Sequence, residues 1–184
     1  MPKGWVVGKL QDIVTLQRGF DLPKSYRTDG AHPVVAATGV HGTHAVAKVM
    51  APGVVTGRSG SLGTVLHLDV DFWPLNTTLW GTAFPAGSTY LAYFVLQGLD
   101  LKSMNGGAAV PTLNRNDVHN LPVIIPPPES IKDFDQVASA TFKLKKNLQR
   151  QVENLRVQRD LLLPKLMSGE IDVSQAVELM EAAE

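Results

Sequence analysis

The sequence predicts an α+β chain: a mostly β domain over residues 1–128, one long α-helix over 129–168 and an acidic C-terminal tail over 169–184. Three observations predict it. Fifteen of the sixteen Gly, eleven of the twelve Pro and all three Trp lie before residue 129. The thirty-five residues between Pro128 and Pro164 contain neither Gly nor Pro, as an uninterrupted helix requires, because Pro removes a backbone hydrogen bond and an interior Gly costs about 1 kcal/mol. Within that stretch the apolar residues recur at heptad spacing.

In chain order, the first 128 residues read as short strands and turns. Gly53 to Thr56, Thr64 to Val70 and Leu121 to Pro126 place Val, Ile and Leu between Gly, Pro, Asn and Asp, the pattern of strands bounded by turn residues. Leu66, Leu68 and Val70 alternate with His67, Asp69 and Asp71, so each set faces one side of a strand. Thr89 to Gln97, carrying Tyr90, Leu91, Tyr93, Phe94 and Leu96, reads as the one good helix inside this region. Asn114 or Asn116 is placed to cap a short turn leading to Val118.

The long helix is expected over residues 131–163, roughly 50 Å at 1.5 Å per residue. Phe134, Thr141, Leu148, Leu155 and Leu162 recur every seven residues, and Ala138, Lys145, Val152, Arg159 and Leu166 follow each by four. Val137 and Leu144 widen the face near the start. Two readings fit this seam: an amphipathic helix packed on its own domain, or one that pairs with another helix. Residues 131–166 carry eight basic and four acidic side chains, and Glu170 to Glu184 carries five acids and no base. A solvated face accounts for most of these charges; docking on a partner or on DNA is the sharper alternative.

Composition narrows the function classes. The 184 residues suffice for one ordinary domain and an appendage. Seventeen Lys and Arg balance seventeen Asp and Glu, so any attraction to phosphate has to be local. The absence of Cys excludes disulfides, thiolate metal sites and cysteine nucleophiles. No 18-residue apolar run or signal-peptide core is present, so neither membrane insertion nor secretion is expected and the cytoplasm is the expected location.

A search for chemistry finds no catalytic constellation. Gly57, Gly60 and Gly63 in Val55-Thr56-Gly57-Arg58-Ser59-Gly60-Ser61-Leu62-Gly63 lack the Gly-Lys-Ser/Thr ending of a phosphate loop and are followed by a strand, so a tight hairpin is expected. The same run lacks the final Gly of a nucleophile elbow. His41 and His44 could chelate by spacing, yet no Cys or acid stands near them, and no metal site is expected. Asp69 and Asp71 could pair as in a metal-dependent nuclease, but the accompanying Lys and third acid are missing nearby. What remains is three polar clusters in loops: Lys24, Tyr26 and Arg27; Arg58, Ser59 and Ser61; and Asn76, Thr77 and Thr78. Arg, Asn, Ser and Thr read base edges and Lys steadies phosphates, although Asn, Ser and Thr also populate ordinary turns.

The order of segments carries a resemblance. Gly4-Trp5-Val6-Val7-Gly8-Lys9-Leu10-Gln11-Asp12-Ile13, then Gly57 to Gly63, then Gly107-Ala108-Ala109-Val110-Pro111-Thr112-Leu113-Asn114 with Leu121-Pro122-Val123-Ile124-Ile125-Pro126-Pro127, and finally Leu155 to Ile171 together resemble the DNA-specificity subunits of type I restriction-modification systems. The resemblance spans almost the whole chain, and its last two parts are the most specific. It implies a noncatalytic subunit whose mostly β target-recognition domain reads half of a split site in double-stranded DNA. It further implies a long helix lying antiparallel to a second one, and a scaffold for methyltransferase subunits and, where present, restriction subunits. Methyl transfer and cleavage, with S-adenosylmethionine, ATP and magnesium, would then belong to those partners, and this chain would carry no cofactor. Full members hold two recognition domains and two helices, whereas these 184 residues provide one of each; the expectation is a half-subunit whose copies form a homodimer through an antiparallel coiled coil and read an interrupted palindrome. Where the family commonly starts the helix with Glu-Gln, this chain has Glu129-Ser130-Ile131-Lys132. The expected DNA contacts are Lys24, Tyr26, Arg27, Arg58, Ser59, Ser61, Asn76, Thr77 and Thr78; the expected dimer seam is Phe134, Leu148, Val152, Leu155 and Leu162. The competing expectations are a small magnesium nuclease using Asp69 and Asp71, and a regulator that binds a modification enzyme without reading bases.

Overall fold

The computed structural model describes residues 1–104 and 111–171. Gly107 to Val110 of the resembling segment and most of the expected acidic tail lie outside the described residues. The chain divides into two compact units, Met1–Ala138 and Ser139–Glu184, each taken by itself below.

Among its described residues the first unit contains nine strands: β1 (Val6–Lys9), β2 (Thr15–Arg18), β3 (His32–Ala36), β4 (Gly39–His44), β5 (Gly53–Gly57), β6 (Val65–Leu68), β7 (Trp73–Pro74), β8 (Thr78–Ala83) and β9 (Pro122–Ile125). They form three small sheets ordered β1-β9, β2-β8-β5-β6 and β4-β3-β7. All pairings are antiparallel except β3 with β7. Two helices are inserted, α1 (Thr89–Gly98) and α2 (Arg115–His119).

The larger core packs Leu16 of β2, Val54 of β5, Val65 of β6 and Leu79 of β8 against Leu91, Ala92 and Leu96 of α1, with Val118 of α2 beneath them. These α1 residues sit at i, i+1 and i+5, one apolar stripe of a helix. Ser88 starts α1 by accepting a hydrogen bond from the Leu91 N–H at 2.8 Å, which satisfies one of the orphan donors of the first turn. A second core, centred on fully buried Phe72, fills the space lined by Val35, Val49, Val55 and Leu68.

The long helix, α3, runs from Pro128 to Met167, one residue from the expected 129–168 segment at each end and longer than its uninterrupted 131–163 stretch. Both prolines that bound the Gly- and Pro-free run lie inside it, for different reasons. Pro128 is the first helical residue, where a backbone N–H has no partner to lose. Pro164 falls in the last turn, where the one hydrogen bond it removes is offset by the rest of a 40-residue helix. Ile131 and Ala138 of its first turns are buried in the β-rich unit. Among the described residues no helix is long and apolar enough to cross a membrane.

Candidate nucleic-acid interface

The glycine-rich run forms the turn between β5 and β6, as its spacing predicts, with Gly60 at φ +83° and Gly63 at φ +82°. These are left-handed conformations that L side chains rarely adopt. The turn is stitched to two distant segments. The Arg58 N–H donates to Thr77 O at 2.8 Å, the Ser59 N–H to Thr77 O at 3.1 Å, and the Gly60 N–H to Pro111 O at 3.0 Å. In return Arg58 O accepts from the Leu113 N–H at 2.8 Å, and Ser59 bridges Thr112. Two of the three polar clusters, separated by about twenty residues of sequence, therefore share one rigid surface.

The members of these clusters are not equivalent. Asn76 is held by Asp21, to which its amide donates. Thr77 Oγ1 accepts from the Ala37 N–H at 3.3 Å. Thr78 is fully buried and its hydroxyl donates to Leu75 O at 2.7 Å, so it closes a turn and does not face solvent. The third cluster is anchored elsewhere, on β4. Arg27 Nη1 donates to His41 O at 3.0 Å, Lys24 and Tyr26 form a short 3₁₀ turn, and Tyr26 is 72% exposed.

Arg18 and Arg115 were not expected. Arg18 ends β2 opposite Leu79 of β8, and Arg115 opens α2 directly after Asn114, whose side chain caps that helix by accepting from the Asn116 N–H at 3.0 Å. Together with Arg58, Thr112, Asn114 and Asn116 they line a cleft of about 400 Å³ floored by Leu79 and Leu113. The sequence holds only a faint signal for it: Arg18 closes the alternating run Thr15-Leu16-Gln17-Arg18, and Arg115 follows a cap residue.

Behind this cleft His119 Nε2 accepts the Leu16 N–H at 2.8 Å, which requires the neutral ring with its proton on Nδ1. Burial, and then the Arg115 guanidinium, push its pKa below the ordinary 6.5. His67, stacked on Tyr90 at 4.5 Å, is also lowered by burial, partly opposed by Asp69. Because the folded-state pKa lies below the unfolded value, the stability these neutral rings contribute is present above about pH 6.5 and is lost as pH falls toward the folded-state pKa. Urea unfolding at intervals from pH 7.5 to 5 is expected to show this decline. His119→Gln, which keeps an acceptor but does not titrate, is expected to flatten it; an undiminished slope would remove His119 as a cause.

The two carboxylates weighed as a nuclease pair do not stay on one strand face. β6 ends at Leu68, and Asp71 Oδ1 is engaged by the Ala51 N–H at 2.8 Å. Among the described residues no group of three His, Cys, Asp or Glu is placed to hold a metal ion.

In the second unit α3 exposes a stripe of large apolar side chains: Leu144, Leu148, Val152, Leu155 and Leu162 are each between 47% and 63% exposed. A trough of about 620 Å³ follows it past Thr141, Leu144, Leu148 and Val152. Phe134, expected in the same seam, belongs to the first unit, where it packs edge-on against Phe94 at 5.6 Å and remains 36% exposed.

Comparison with known proteins adds an independent observation. The family described as type I restriction modification DNA specificity domain matches residues 2–154. The type I restriction enzyme MjaIX specificity subunit of Methanocaldococcus jannaschii is 36% identical over 69 residues, which are 38% of this chain and 16% of that protein. The S subunit of a type I restriction-modification system from M. genitalium has a similar fold, with TM-score 0.74 and 18% identity over 89% of this chain and 46% of that one. The HsdS subunit from Thermoanaerobacter tengcongensis gives TM-score 0.56 and 14% identity over 93% and 46%. The chain thus spans about half the length of these solved relatives and less of the curated one.

Proposed function

This chain belongs to the family of type I restriction-modification DNA specificity domains, and from that premise we propose that its β-rich unit reads half of a bipartite double-stranded DNA site without catalysing any reaction. The observation that carries the reading is the stitched surface at the β5–β6 turn. Backbone hydrogen bonds hold Arg58 and Ser59 against Thr77 and Leu113, so polar side chains suited to base edges are presented from a scaffold that need not reorganise on binding.

The exposed heptad stripe of α3 supports the second part of the proposal. Two copies pair through Leu148, Val152, Leu155 and Leu162 as an antiparallel coiled coil, placing two recognition units on an interrupted palindrome with twofold symmetry. Methyltransferase subunits, and restriction subunits where the system has them, dock on this scaffold in the cytoplasm. They supply the chemistry, with S-adenosylmethionine, ATP and magnesium bound by them.

A map of methylated bases in the host with and without the gene tests this. Loss of one interrupted palindromic motif is expected; no change in methylation would overturn the reading. With the purified complex, Arg58→Ala is expected to weaken cognate binding by about 1–3 kcal/mol and to relax the preference at one base pair. Binding of methyltransferase that survives this substitution, with no sequence preference in the parent, would point instead to a regulator of the modification enzyme.

A further inference from the structure

We propose that the cleft between the ends of β2 and β5 and the start of α2 grips a backbone phosphodiester of the bound DNA, with Arg18 and Arg115 as its ligands, while Arg58 beside them is left to a base edge. The proposal rests on the DNA-recognition reading above and assigns a positioning contact that is separate from base reading.

The sheet register brings the three arginines together. Leu79 of β8 is paired on one side with Arg18 and on the other with Thr56, so β2 ends and β5 ends flank the same residue. Arg58 leaves β5 immediately after Gly57, and its backbone is tied on both sides, to Thr77 and to Leu113. The second of these ties fixes the distance between Arg58 and the lead into α2, where capping by Asn114 sets Arg115 as the first helical residue. Three cations from three elements far apart in sequence therefore line one concavity of about 400 Å³.

Their charge is only partly compensated. Arg18 lies 3.6 Å from Asp21, and Asp21 also accepts from Asn76. Among the described residues neither Arg58 nor Arg115 has a carboxylate within 4.0 Å. The Asn114 and Asn116 side-chain amides at the rim can donate as well. A cleft furnished with donors and surplus positive charge suits an anion with several acceptor oxygens, and guanidinium forks match phosphate oxygens two at a time. A base edge, which offers at most two or three groups and no charge, would leave most of these donors without partners. Such a contact fixes the protein's register on the duplex without carrying sequence information.

The test uses the full chain in complex with its methyltransferase, at pH 8, where His119 is neutral. Arg115 is exposed, so Arg115→Gln is expected to leave the thermal midpoint unchanged. It should weaken cognate and noncognate duplexes alike by about tenfold and lower the slope of log affinity against log salt by about one; Arg115→Lys should restore the slope. A scan of duplexes with one phosphate at a time replaced by neutral methylphosphonate should find a position that costs the parent but adds nothing to Arg115→Gln. Parent complex that prefers its cognate duplex while Arg115→Gln keeps the full salt slope would overturn the cleft assignment alone. So would a loss confined to one base pair, or Arg115-dependent binding of inorganic phosphate without any methylphosphonate coupling. A parent with no preference for any duplex would overturn the recognition reading and this contact with it.

Discussion

Glutamate at both Leu148 and Leu155 is expected to convert the proposed dimer into single chains while leaving the β-rich unit folded. Both positions lie on the exposed stripe of α3, at 51% and 63% exposure, so in an isolated chain the substitutions cost little. In a symmetric pair they would bring four carboxylates into a dry seam. Each would be a buried charge without a partner, a loss of several kcal/mol apiece. Light scattering at micromolar concentration should read half the parent mass, with the near-ultraviolet signature of Trp5, Trp73 and Trp80 unchanged. Affinity for the full bipartite site should fall by at least a hundredfold, because the two half-site contacts lose their linkage, while affinity for one half-site stays level. A variant that remains as heavy as the parent would show that the seam is elsewhere on the helix.

Gly57→Ala is expected to be the most damaging small substitution in the β-rich unit. A Cβ at this position would stand 1.9 Å from Ser61 O and 3.2 Å from Ala37 O. Both obstacles are backbone, so no side chain can swing aside, and the whole β5–β6 turn has to move. Overpacking of this kind costs about 3 kcal/mol where the surroundings cannot yield. The displaced segment includes Arg58, whose N–H and C=O are both committed, so sequence preference should be lost even at temperatures where the variant remains folded. Urea unfolding followed by Trp fluorescence measures the first effect, and competition between cognate and scrambled duplexes measures the second. A variant with the parent's midpoint and the parent's preference would mean that the turn tolerates displacement.

Much of this architecture could be read from residue patterns because it depends on local rules. The Gly- and Pro-free run announced α3, since helix continuity is decided by each residue's own backbone. The aromatic and leucine spacing of Thr89 to Gln97 announced α1, and the three glycines announced the β5–β6 turn. Pro128 and Pro164 bound the Gly- and Pro-free run yet both lie inside α3, because the cost of Pro depends on whether its missing N–H had a partner.

Long-range pairings were not readable in this way. That Arg18, Arg58 and Arg115 line one cleft follows from the β2–β8 and β5–β8 registers, which join residues some sixty and twenty positions apart, and from the Leu113 N–H bond to Arg58 O that brings in α2, and no single-residue preference encodes them. Thr78 illustrates the reverse error. Its residue type suits a base contact, but the turn that leaves Asn76 and Thr77 half-buried rotates Thr78 inward to close on Leu75. Likewise the alternation from Leu66 to Asp71 was longer on paper than in the fold, because the chain bends after Leu68 to deliver Asp71 to the Ala51 N–H.

The small sheet of β1 and β9 pairs Val6 with Ile125 and Lys9 with Pro122. Strands so paired lie about 5 Å apart, so everything from Leu10 to Leu121 is a closed excursion that departs and returns through one doorway. A chain built this way can be exchanged like a cartridge. An insert whose ends meet at one strand spacing, and which rebuilds the contacts that Phe94 makes with Phe134 and Ser88 with Asp135, can replace residues 10–121 without altering the direction in which residue 126 hands the chain on to α3. A graft of a different insert between Lys9 and Pro122 should therefore change which duplex is bound while keeping the oligomeric state of the parent.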